Sequence, residues 1–254
     1  MPVRANWSII EGWNETWSAL TGCTRSATVK IKNEDRMKEQ NTQAETEHEY
    51  TLVEEIFNSV SHGLGFIASI VGLVFLTLFA VWYGDVWHVV GFSIFGSTLI
   101  LLYLASTLYH SLTRTRAVRV MQAIDHSAIF LLIAGTYTPF MLTVMRSALG
   151  WTILGTVWGI AIFGIILKVF HFEKTHRIGL ILYLMMGWLI VLVFFEVIRI
   201  LPLFSLIMLF AGGISYTAGT IFYKWDRLKF NHAIWHMFVL GGSVCHYFAV
   251  ISTV

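Results

Sequence analysis

Proline and charge are scarce in this sequence. Three prolines and 13% charged residues in a chain of 254, against 56% hydrophobic residues, leave more apolar surface than one water-soluble core can hide. A soluble globular domain is thereby excluded. No basic block longer than the arginines of TRTRAVR is present and the formal net charge is +2, so no surface exists to neutralise a row of phosphates, and nucleic acid is excluded as a partner. Cysteine is nearly absent as well. Cys23 and Cys245 are too few and too separated for a disulfide framework and read as two free thiols.

What is present is apolar sequence in lengths that match a bilayer, about 20 residues per crossing. Seven such runs are expected, at about 57–83, 88–111, 122–144, 148–170, 178–198, 201–223 and 231–253. Short connections make neighbours antiparallel, which predicts an all-α polytopic membrane protein with seven transmembrane helices in one bundle over residues 51–254. Residues 1–50 differ. They hold eight of the fifteen acidic and six of the seventeen basic residues without an apolar period, and read as a polar, disordered cytoplasmic tail. Its three tryptophans, Trp7, Trp13 and Trp17, offer a membrane-surface alternative, but the flanks are wrong for a signal peptide. Met37 is a second candidate start, because MKEQ leads directly into the apolar part, so residues 1–36 need not be native.

Lysine and arginine set the expected orientation. The tail and the loops after spans two, four and six hold fifteen of the seventeen, and only Arg146 and Arg199 fall on the other side. By the positive-inside rule the amino terminus is cytoplasmic and the carboxyl terminus outside. Span two then ends inward at STLYHSL, span three leaves at QAIDHS, and span seven leaves at NHAIWH. His110, Asp125, His232 and His236 therefore converge in depth, each roughly 3 to 9 Å inside the membrane boundary at about 1.5 Å per residue.

An ionisable side chain at such depth needs a partner inside the protein. His232 and His236 are four apart, on one helical face, the spacing by which a single helix gives two ligands to one metal. Ser106 and His110 repeat that spacing on span two. With His110 the set becomes three histidines and one position left for water, the arrangement of catalytic zinc, and Asp125 could serve that water as base or orienter. Zinc suits an all-nitrogen tetrahedral site better than copper, nickel or iron. The plainer readings are helix-to-helix hydrogen bonding for the histidines and a first-turn cap for Asp125.

Glu55, Asn58, Ser59 and His62 recur at i, i+3, i+4 and i+7 on span one and are expected to support the site from one face, His62 also being eligible as a fourth ligand. Glu54 reads as an interfacial, solvated charge. His246, ten residues beyond His236, is too far along its helix to share a metal and reads as a packing histidine. His126, about 100° round the helix from Asp125, reads as next to the site rather than in it, His171 and His176 as flanking a cytoplasmic loop, and His48 and His88 as peripheral. Gly155 and Gly159 in span four, and the AGGISYTAG run of span six, are expected to admit close helix neighbours. Pro139 should kink span three, and Pro202 should open span six.

Taken in order, EEIFNSVSHGLG, STLYH, AIDHSAIFLLIAGTYTPF and HAIWHMFVLGGSVCHYF resemble the hemolysin III family of bacterial membrane proteins, relatives of the progestin and adipoQ receptors that include the adiponectin receptors. The resemblance covers about residues 50–254. It implies a multi-pass protein of the bacterial inner membrane with zinc ligands at His110, His232 and His236, and with Ser106 and Asp125 near the water of the metal. It also places the chain beside the alkaline ceramidases, which implies zinc-dependent hydrolysis of a lipid amide or ester, a membrane lipid being substrate or ligand. Two other classes stand beside the hydrolase: a membrane-state sensor with structural zinc, and a pore-forming cytolysin, for which the spans show no charged lining. Oligomeric state and substrate identity are not legible in the sequence.

Overall fold

The computed structural model describes residues 50–112, 117–172 and 176–254. The expected tail, with its tryptophans, Met37, Cys23 and His48, lies outside the described residues apart from Tyr50.

The helices are α1 (Leu52–Tyr83), α2 (Val86–Ser111), α3 (Val118–Leu142), α4 (Ala148–Phe170), α5 (His176–Trp188), α6 (Phe194–Ile200), α7 (Leu203–Tyr223) and α8 (Asn231–Ile251). A 3₁₀ segment, Leu189–Val193, joins α5 to α6, and the three together make the fifth span. Seven spans are long and apolar enough to cross a membrane, and no strand occurs among the described residues. The protein is all-α. Its polarity runs opposite to that of a soluble bundle: Leu192, Phe170 and Phe195 are more than 70% exposed, while Asn58, His62, His110, Asp125 and His236 are buried. Such an apolar exterior is stable only against lipid.

Helix α1 packs along α2, α2 along α3, and α3 along α4; α7 packs along α8, and α8 closes against α1. Helix α8 also reaches α3, so α1, α2, α3 and α8 surround one buried end of the bundle.

Local chemistry explains where the helices begin. Helix α1 starts at Leu52, five residues earlier than the apolar run suggests, because Thr51 and Glu54 form a reciprocal capping box. Glu54 is thus not the solvated charge expected of it. It is buried, its carboxylate accepts from the Thr51 N–H and hydroxyl, and it also accepts from the Phe230 N–H at 2.9 Å. Phe230 has φ 58, and that turn aims its N–H across at α1. Pro202 stands at the N-cap of α7, where a missing N–H is not needed. Helix α3 begins at Val118, so Asp125 lies two turns inside and is not a first-turn cap.

The break in span five has a single cause in α3. The Tyr137 hydroxyl donates to the carbonyl of Met186 at 2.8 Å and accepts from the Ile190 N–H at 2.9 Å. It satisfies backbone groups that hydrocarbon could not, and so permits the 3₁₀ segment. Pro139 lies inside α3, which continues to Leu142.

The glycines divide by face. A side chain at Gly219 would meet Trp235 and Phe238 of α8 at 2.6 and 2.7 Å, as the small-faced reading of span six requires. Gly155 and Gly159 face outward with nothing within 4 Å, so span four does not use them for close helix packing.

Candidate metal centre

Three imidazoles meet at the buried end. His110 is the penultimate residue of α2, and His232 and His236 occupy the first turns of α8. All three are buried, and one ligand atom from each lies within 4.8 Å of the other two.

Each ring has its Nδ1 engaged from outside. His110 Nδ1 donates to Glu55 Oε2 at 2.6 Å, and His236 Nδ1 donates to the Asn58 carbonyl at 3.2 Å with Ser61 Oγ at 3.1 Å. His232 Nδ1 lies 3.2 Å from the Tyr50 hydroxyl. A carboxylate and a carbonyl can only accept, so in their neutral form His110 and His236 carry the proton on Nδ1 and present the Nε2 lone pair inward. The His110 Nε2 is buried without a hydrogen-bond partner among the described residues. Neutral imidazoles held in this tautomer by acceptors behind them are what a metal requires of histidine ligands. The three residues could therefore hold a metal ion.

Asp125 and Ser106 are buried and face each other on the cavity that reaches the histidines. This cavity, about 160 Å³, runs from His62, Asp125, His232 and His236 into the bundle as far as His246, between mostly apolar side chains.

Of the α1 stripe, Glu55 and Asn58 touch ligand rings directly. His62 does so by stacking on His236, with ring centroids 3.5 Å apart and planes 11° from parallel, and it lies outside the three-ligand set. Neither His62 nitrogen has a hydrogen-bond partner among the described residues, nor has the Asn58 side-chain amide. Ser59 is turned elsewhere and bonds Ser111 Oγ at 2.7 Å, tying α1 to α2. His246 bonds the Leu209 carbonyl at 3.1 Å and lines the far end of the cavity. His126 stacks on Phe172 and lines the cavity beside Asp125. His88 caps α2 with Asp85 at the opposite end of the bundle.

A family model described as "Haemolysin-III related" matches residues 50–247. The chain belongs to the haemolysin-III-related family. It is 46% identical over 208 residues to "Hemolysin-3 homolog" of Bacillus subtilis (strain 168), covering 80% of this chain and 95% of that protein. It is 46% identical to "Hemolysin-3" of Bacillus cereus over 78% of this chain and 90% of that one. At 28% it is similar to "Monocyte to macrophage differentiation factor" of Homo sapiens, over 87% and 94%. The motifs that resemble hemolysin III thus belong to a chain of that family.

The haemolysin-III-related match begins at Tyr50, a residue the sequence reading left in the polar tail. Its hydroxyl reaches His232, and burial, followed by the charges of Glu55, Asp226 and Glu54, pushes it up to about 12, which keeps it a neutral hydrogen-bonding group. The signal that could have found it is TLVE, the start of the capping box that fixes Tyr50 beside α1. Lys168 also escaped notice, because its place in the last turn of α4 resembles an ordinary helix-end charge.

Proposed function

We propose that this chain is an intramembrane zinc-dependent hydrolase of a lipid amide or ester, with its histidine end toward the cytoplasm of a bacterial inner membrane. The observation that carries the reading is a buried carboxylate, Asp125, on the same apolar cavity as His232 and His236, two of three clustered imidazoles, with the Nδ1 atoms of His110 and His236 engaged from behind so that Nε2 is left for a metal. Zinc held by His110, His232 and His236 would polarise a carbonyl oxygen and lower the pKa of a water in its remaining position.

The other steps fall to the chain's own groups. The cavity takes an acyl chain and brings its carbonyl to the histidine end. Asp125 orients the attacking water and takes its proton as the oxygen adds to the carbonyl carbon. It returns that proton to the leaving nitrogen or oxygen when the C–N or C–O bond breaks. Ser106, facing Asp125, positions the carboxylate.

A sensor reading draws on a different observation: the ligands come from α2 and α8, so a metal would staple the second span to the seventh. Asp125→Asn separates the two. Under the hydrolase reading it keeps bound zinc and melting temperature while lowering lipid-amide hydrolysis by roughly 100-fold or more, the usual scale of lost general-base help. His236→Ala loses zinc and stability together. Loss of zinc and stability in Asp125→Asn as complete as in His236→Ala would sink the hydrolase reading.

A further inference from the structure

Among the residues whose side chains are described, Lys168 is the only lysine or arginine that is buried, at 2% exposure. A lysine in the last turn of a membrane helix normally lays its stem on apolar surface and carries its ammonium out to the interface. Lys168 does not. It lines the same cavity as Asp125 and His126. Its Nζ sits 4.9 Å over the Phe172 ring, and no carboxylate pairs with it among the described residues. Space for it is made by Gly179 of α5, where a Cβ would meet Lys168 Cε at 2.9 Å and Nζ at 3.1 Å. The Tyr183 hydroxyl, which donates to the His126 carbonyl at 2.7 Å, lies 3.8 Å from that same point. An aromatic face stabilises a cation without neutralising it. The ammonium keeps donors for an anion.

We propose that Lys168 is the anion receptor of the cavity, taking the phosphate of an anionic lipid whose chain lies along the apolar lining toward His246. The inference rests on the cavity being a lipid seat and narrows the substrate class from lipids in general to those with a negatively charged group near the reacting carbonyl. A lysine suits that task as a point charge for phosphate. Neutral lipids of the same chain length gain nothing from it.

The test is native mass spectrometry of the full chain released from neutral detergent, with dodecyl phosphate, dodecanol or inorganic phosphate added, on wild type, Lys168→Met and Lys168→Arg. Wild type is expected to retain dodecyl phosphate at least about 10-fold better than dodecanol, as a charge-assisted bond predicts. Lys168→Met should bring the two to the same level, Lys168→Arg should keep the preference, and inorganic phosphate alone should not be retained. Lys168→Gln replaces Lys168→Met if the latter unfolds below the wild-type melting temperature. Equal retention of both amphiphiles by wild type, an unchanged preference in the neutral variant, or retention of free phosphate as strong as that of dodecyl phosphate overturns the proposal and leaves the lipid cavity standing. Retention of neither amphiphile removes the cavity reading, and the receptor falls with it.

Discussion

Glu55 of α1 holds His110 of α2 through a single contact, Oε2 to Nδ1 at 2.6 Å. The carboxylate fixes the tautomer and turns the ring so that Nε2 faces the other two histidines. Glu55→Gln keeps the shape but offers a weaker acceptor, and its amide can flip to present a donor instead. Metal affinity should fall roughly 10- to 100-fold with little change in helix content. Chelator competition beside circular dichroism measures both; unchanged affinity would show that His110 is oriented by packing alone.

Purified protein should carry about one zinc per chain. His110→Ala and His236→Ala should each reduce it to a small fraction, since two imidazoles hold the ion far less tightly than three. Metal analysis of the three proteins decides the matter, and metal content indifferent to both substitutions would falsify the site.

Topology has its own test. With fifteen of seventeen basic residues on the histidine end or in the tail, a reporter fused after Val254 should report from outside the cytoplasm. A cytoplasmic signal there would turn the site toward the opposite face.

The glycine faces give a packing prediction. Gly219→Leu drives a side chain into Trp235 and Phe238 and should lower stability by about 1–3 kcal/mol or more, the usual cost of overpacking. Gly155→Leu, facing open space, should be close to neutral. Thermal unfolding in one detergent compares them, and equal losses would mean that Gly155 contacts something outside this chain.

Much of this was legible in the sequence because hydrocarbon is a strict solvent. A histidine or aspartate within an apolar run must point inward, so His110, Asp125, His232 and His236 could be brought to one depth by counting residues. The same logic placed Glu55, Asn58 and His62 on one face. It failed where a polar group sits at a boundary, since water and protein are then equally available partners. Glu54, Tyr50 and Lys168 all lie within a turn of a helix end, and their burial depends on which loop folds over them. Face assignment of small residues failed for a related reason: Gly155 and Gly159, four apart, share a helical face just as Gly212 and Gly219, seven apart, do, but glycine shows no preference between lipid and a neighbouring helix. The 3₁₀ break in span five was invisible because its cause, Tyr137, belongs to another helix.

The bond from the Phe230 N–H to Glu54 ties the entrance of the last span to the entrance of the first. Two of the three candidate ligands are carried by that last span, while Tyr50 waits ahead of the first. During synthesis, then, no chain that has yet to insert α8 can own the site, however well its first six spans have packed. Until that moment Glu54, Glu55, Asn58 and His62 face a vacant slot, and an incomplete chain offers its buried polar stripe to lipid or to membrane quality control. Arrival of α8 closes the ring, seals that stripe and assembles the candidate metal pocket in one event, so any uptake of metal would report that α8 is in place.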